Sequence, residues 1–168
     1  MSDIVRSVLT GTSALALALA VSAALTFVRR GWHPDSWLFR VAWLALAVQA
    51  AHFGEEWATG FRMRFPELMG LSVWPDAFFV TFNVVWIVVW MASLWALARG
   101  VRVAVLPLWF LALGTVANGI AHPLFALAAG GYFPGLYTSP VVGIAGCVLL
   151  RKLGAATAPA ESPRRSGR

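Results

Sequence analysis

Charge is scarce in this chain. Only 12% of its 168 residues are charged and 60% are hydrophobic, with a mean hydropathy of +0.75. That balance excludes an ordinary water-soluble globular domain, in which about 25% of residues are charged. Cysteine occurs once, at Cys147, which excludes an intrachain disulfide and a cysteine-based zinc site. Lysine also occurs once, at Lys152, so the apolar runs between Trp37 and Ala129 hold no lysine to neutralise an acid. Long polar stretches are missing too, and residues 1–153 read as a single transmembrane domain. The remaining stretch, 154–168, "GAATAPAESPRRSGR", is small, Pro-containing and basic, and reads as a disordered tail.

What the chain does have is apolar length. A membrane span needs roughly 20 mostly apolar residues, and five segments approach that: Val8–Val28, Trp37–Trp57, Asp76–Ala98, Val103–Ala129 and Thr138–Leu153. The expected fold is therefore an all-α, multi-pass integral membrane protein, a five-helix transmembrane bundle in the cell membrane. The first segment resembles a secretory signal in its small residues, but it is longer than the usual signal core of about 7–15 residues and is followed by Arg29 and Arg30. Net charge +6 does not point to nucleic acid, because the positive charges are spread by loop rather than gathered on one face. Arg29, Arg30, Arg40, Arg99, Arg102, Arg151, Lys152, Arg164, Arg165 and Arg168 fall on one side of the expected membrane, and Arg6, Arg62 and Arg64 on the other. The positive-inside rule then places the amino terminus outside and the carboxyl terminus in the cytoplasm.

Trp32, Trp37, Trp57 and Trp74 fall at expected span ends, as interfacial anchors do. Phe79, Trp86 and Trp90 instead share a helical face with Asn83, a face that packs inward or lines a cavity. The second segment ends in "QAAHFGEEW". At about 100° per residue Glu55 lies roughly 60° to one side of His52 and Glu56 roughly 40° to the other, with Gln49 in the same arc. Acidic residues near the bilayer centre cost about 2.5–3.5 kcal/mol even on insertion scales, so this stripe should face protein, water or an ion.

The fourth segment supplies partners in "ANGIAHPLF", where Asn118 and His122 are one turn apart on one face. His52, His122 and Asn83 each fall roughly 7–10 Å below the outer end of their segments. A bundle can bring these groups together beneath the loop "GGYFPGLYTSP", whose Tyr132 and Tyr137 offer phenolic donors.

HFGEE followed by a later Asn and His resembles the HXXEE family of small membrane proteins, across roughly residues 35–145. The resemblance implies which residues matter and supplies no reaction. From the residues themselves, one reading is a metal site: His52, His122 and one or both of Glu55 and Glu56 could hold one divalent transition metal, zinc, iron or manganese, in an enzyme acting on a lipid or other hydrophobic molecule. Asn83, Trp86, Asn118, Tyr132 and Tyr137 would then contact the substrate. A second reading takes the same four acidic and imidazole groups as a metal-free acid and base pair of an isomerase or cyclase. The His-to-Glu turn in a five-span chain is similar in architecture to the emopamil-binding, sterol isomerase type of protein. A third reading is a non-enzymatic, lipid-binding or structural protein. An ion carrier fits less well, because the segments below Gln49, Trp90 and Thr115 are almost wholly apolar.

Overall fold

The computed structural model describes residues 2–159. Among them are seven α-helices, one short 3₁₀ turn and no strand: α1 (Asp3–Gly11), α2 (Ser13–Val28), α3 (Ser36–Ala58), α4 (Phe61–Leu68), α5 (Asp76–Ala98), the 3₁₀ turn Arg102–Ala104, α6 (Val105–Ala128) and α7 (Ser139–Ala156). Each long helix starts where local chemistry allows it. Asp35 accepts from the Leu38 N–H at 2.6 Å and caps α3. Pro75 precedes α5, and Pro140 occupies the first turn of α7.

The first expected span is broken. α1 and α2 meet at Thr12 and are bent by 47° to one another. The Thr12 hydroxyl donates back to the Val8 carbonyl at 2.8 Å, and Gly11 packs so closely on Trp74 that an added Cβ would stand 2.4 Å from its ring. A side-chain bond to the preceding turn, with an indole pressed on the glycine before it, gives the bend a local cause. α4 occupies the connection between α3 and α5. Gly60, at φ +82°, turns the chain out of α3 and into it. Arg62, on α4, pairs with Asp76 at the start of α5 and ties the short helix in place.

The core lies between α3, α5, α6 and α7, where Leu38, Ala42, Ala45, Leu108, Leu111, Ala112, Leu149 and Leu153 are buried. α6 and α7 approach most closely through glycine. A Cβ on Gly119 would stand 2.5 Å from the Gly143 Cα, and one on Gly146 would stand 2.3 Å from the Thr115 hydroxyl. Small residues at a crossing let two backbones touch, which is how helices gain packing in a solvent that offers no hydrophobic drive. The outside of the bundle is apolar, with Leu17, Phe27, Leu44, Val84, Val88, Leu127 and Ile144 all exposed.

Among the described residues, three helical stretches are long and apolar enough to cross a membrane, Asp76–Ala98, Arg102–Ala128 and Ser139–Ala156, and the bent α1–α2 pair makes a fourth if counted as one span. The fifth expected span, on α3, does not meet that measure of length and apolarity. α3 is 23 residues long, but Arg40, Gln49, His52, Glu55 and Glu56 lower its apolarity. The tail boundary also moves. α7 runs to Ala156, three residues past the expected end, because its last turn is held: Arg29 donates to the Gly154 carbonyl at 2.8 Å and to the Thr157 hydroxyl at 3.1 Å, and the His33 N–H to the Ala156 carbonyl at 2.7 Å. The rest of the expected basic tail, 160–168, lies outside the described residues.

Candidate functional site

α3 presents His52 and Glu56 one turn apart on its inward face, and α6 brings His122 to meet them. His52 is 0%, His122 1% and Glu56 5% exposed, so water does not screen this group. The Nε2 atoms of the two imidazoles are 3.2 Å apart. The Glu56 Oε1 lies 3.2 Å from His122 Nε2 and 3.5 Å from His52 Nε2.

The protons on the outer side of each ring can be assigned from their partners. His122 Nδ1 is 2.6 Å from the Pro134 carbonyl, which only accepts, so Nδ1 carries the hydrogen. His52 Nδ1 is 2.6 Å from the Thr138 hydroxyl, whose own hydrogen goes to Glu55 at 2.6 Å. That hydroxyl must therefore accept from His52 Nδ1–H. In the neutral form of both rings the two Nε2 lone pairs and a Glu56 carboxylate oxygen then face one another with no hydrogen among them. Three acceptors converging in a dry interior repel each other unless something positive joins them. His52, Glu56 and His122 form a possible metal-binding group, each offering one ligand atom.

Glu55 does not join this group, so of the expectation that one or both glutamates serve as ligands the geometry keeps Glu56 alone. It turns toward the loop after α6, where its Oε1 accepts from the Tyr132 hydroxyl at 2.8 Å and the Tyr137 N–H at 3.1 Å. Its Oε2 accepts from the Thr138 N–H at 2.9 Å and the Thr138 hydroxyl. These donors include the first free N–H groups ahead of α7, where the helix dipole favours an anion. One negative charge is thus held by four donors, and through Thr138 it orients His52. Beside it, burial pushes the Tyr132 phenol above its usual range, and the Glu55 carboxylate pushes it the same way.

The loop closes on the histidines at Gly135. An added Cβ there would stand 2.4 Å from the His122 ring and 2.9 Å from the His52 ring, and its φ of +87° already favours glycine. Aromatic rings complete the enclosure: α4 places Phe61 5.4 Å from His122 between ring centres, and Phe125 stands 5.9 Å away.

Beneath the group lies a cavity of about 180 Å³, reached by Glu56 and His122 and walled by rings including Phe53, Phe79, Phe82, Trp86, Trp90 and Phe110. Asn83, Trp86 and Asn118, expected at a substrate site, line it. Tyr132 and Tyr137 do not: they stack on each other with centres 4.8 Å apart, in the cap around Glu55. Three buried polar atoms on the cavity-lining residues lack a partner, Gln49 Oε1, Asn83 Nδ2 and Trp90 Nε1.

The sequence reading missed Thr138, the Pro134 carbonyl and the whole of α4. Periodicity signals none of them, since two act from an irregular loop and α4 is short and polar. A threonine immediately before α7 and a proline in its first turn, in "TSP", do mark a helix start, and a helix start is where a carboxylate finds free N–H groups.

A family model described as "Protein of unknown function with HXXEE motif" matches residues 43–150, more than half of the chain. His52, Glu55 and Glu56 supply that motif. No match is found among curated proteins or among solved structures.

Proposed function

The chain belongs to the HXXEE family, and we propose that its His52, Glu56 and His122 hold one divalent transition metal, zinc by best fit, in a membrane-embedded enzyme that acts on a hydrophobic molecule lodged in the adjoining cavity. One observation carries the reading: three acceptor atoms, with the ring hydrogens committed elsewhere, are separated by 3.2, 3.2 and 3.5 Å. Ligands about 2.0–2.1 Å from a tetrahedral zinc are about 3.3–3.4 Å apart along each edge, so the spacing suits such an ion. Two further features agree with it. Each histidine gives its other ring N–H to a fixed oxygen, as ligating histidines do. Three protein ligands leave a fourth position, the arrangement of catalytic rather than structural zinc, and the cavity supplies the side from which a fourth ligand would come. When bound, the metal would polarise a substrate oxygen or acidify a water. The chain's own residues do the rest: Glu55 and Thr138 hold the His52 ring, Pro134 and Gly135 hold and cover His122, and the aromatic wall excludes water.

Elemental analysis of protein purified in the presence of zinc tests the reading. The wild type should carry one metal per chain, and Glu56→Gln and His122→Ala should carry none while keeping their helical content. A metal-free wild type that resists loading would overturn it.

The same distances favour a second reading, because 3.2 Å is also a hydrogen-bond length. One shared proton on the two histidines and Glu56 would make a metal-free acid and base pair. The elemental analysis separates the two.

We also propose that α3 crosses the membrane with the others, giving five spans, the amino terminus outside and the carboxyl terminus in the cytoplasm. Support comes from its packing against α7, α5 and α6, its inward polar stripe, its exposed Trp43 and Leu44, and the distribution of arginine. Cysteines placed near Arg64 and Gly131 should react with an impermeant thiol reagent on intact cells, and cysteines near Arg30 and Gly100 should not. The reverse pattern would invert the topology.

A further inference from the structure

The cavity beneath the histidines is mostly apolar, yet its wall carries polar atoms without partners. Gln49 and Trp90 are 2% and 4% exposed, Asn83 is 7% exposed, and all three line the cavity. The Gln49 acceptor and the Asn83 and Trp90 donors have no partner among the described residues. Buried polar atoms left this way are costly unless a ligand or water completes them. The two hydroxyls on the wall are already occupied: that of Thr115 shares its hydrogen between the Leu111 and Ala112 carbonyls, and that of Thr12 donates to the Val8 carbonyl.

Charge narrows the ligand further. No lysine, arginine or aspartate lines the cavity, and its ionisable residues, Glu56 and His122, belong to the histidine–glutamate group. A phosphate or carboxylate head would find no counter-ion beside Gln49. A hydroxyl, in contrast, supplies one donor for the Gln49 oxygen and lone pairs for an amide or indole N–H. The volume, about 180 Å³, is close to the engineered cavity of about 150 Å³ that takes up benzene. It encloses all of a small molecule or one end of a long one.

We propose that the cavity binds a neutral, hydroxyl-bearing hydrophobic molecule, with its hydroxyl among Gln49, Asn83 and Trp90 and its apolar body against the aromatic wall. Gln49 lies two turns of α3 from Glu56, roughly 10 Å along the axis. Such a molecule, anchored at its hydroxyl, extends toward the histidine–glutamate group. The inference rests on the reading of that group as a reactive centre only for what then happens to the molecule, not for its binding.

The test uses full-length protein in lipid nanodiscs and three terminally fluorinated eight-carbon probes, an alcohol, an alkane and a carboxylate, titrated by fluorine NMR. The alcohol should bind saturably, at one site per chain, and about tenfold or more tighter than the alkane or the carboxylate. Gln49→Leu and Asn83→Leu should bring the alcohol down to the alkane's affinity. Trp90→Phe, which keeps the ring and removes only the donor, should weaken the alcohol alone. Equal binding of alcohol and alkane, preference for the carboxylate, or no saturable site would overturn the proposal and leave those polar atoms to water. Zinc measured on the same samples keeps the two readings apart. Alcohol preference without zinc defeats the metal reading alone, and zinc without alcohol preference defeats this one alone.

Discussion

Glu55 and Glu56 are neighbours in sequence, yet they stand in two different regions, the cap and the pocket. In the cap, every lone-pair direction of Glu55 is met by a donor, from Tyr132, Tyr137 and Thr138. In the pocket, Glu56 meets only the Nε2 atoms of His52 and His122, whose hydrogens sit on the other side of each ring. One carboxylate is balanced by the protein itself. The other is balanced only if a cation or a proton arrives. The two acids of the motif thus have separate surroundings: Glu55 orients His52 through Thr138, and Glu56 faces both imidazoles.

The largest effect should come from removing the pocket acid. Glu56→Gln keeps the shape and loses the anionic ligand, so stoichiometric zinc should disappear, with affinity falling by about 100-fold or more in competition with a chelator. If Glu56→Gln binds zinc like the wild type, the contrast between the two glutamates collapses.

Gly135→Ala breaks the junction between cap and pocket. It adds a carbon against both imidazoles and strains a positive φ, so we expect a loss of about 2–4 kcal/mol in unfolding free energy together with weakened zinc. An unchanged melting temperature would mean the loop does not press on the histidines.

Glu55→Gln and Thr138→Val should be milder, because each disturbs only the orientation of His52. About 10-fold weaker zinc is expected for either, with full occupancy recovered at higher metal concentration. The double variant should cost little more than one single variant, since both cut the same chain of hydrogen bonds. Fully additive losses would show that Glu55 and Thr138 act separately.

The smallest effect is at the far end of the bundle, where Lys152 pairs with Asp35 at 3.0 Å in an exposed position. The hydrogen bond from Lys152, with a further one from the Leu38 N–H, holds the Asp35 carboxyl below its ordinary value. A lowered carboxylate pKa contributes stability above its unfolded value and loses it as pH falls through the folded one. Lys152→Ala should therefore raise the Asp35 pKa toward the ordinary range, read by NMR, with almost no change in melting temperature or zinc content. A large change in zinc would tie the two ends of the bundle together.

Much of the site could be read before any fold was known. His52 and Glu56 four residues apart must share a helical face, and so must Asn118 and His122, because α-helical geometry is local. Apolar length marked the long helices, and the cost of buried charge required the polar stripe of α3 to turn inward. The limits were equally physical. Glu55 and Glu56 lie about 100° apart around the axis, and both fall in the arc that could reach a partner. Which one does depends on where α6 and the loop before α7 stand. The bend at Thr12, the packing of α4 on the pocket and the lie of Tyr132 and Tyr137 likewise depend on contacts between distant residues.

Local chemistry alone makes this chain helical and apolar, leaves two histidines and two glutamates out of place in its apolar segments, and sets which of them share a turn. The packing of distant elements set the rest: Glu56 closes on both imidazoles, while Glu55 binds the loop ahead of α7. It also decided that the Pro134 carbonyl and the Thr138 hydroxyl take the outer ring hydrogens. Helical periodicity sets directions around one axis, whereas a site built from three elements needs the distances between axes, and those come from how α3, α6 and the Gly135 loop pack.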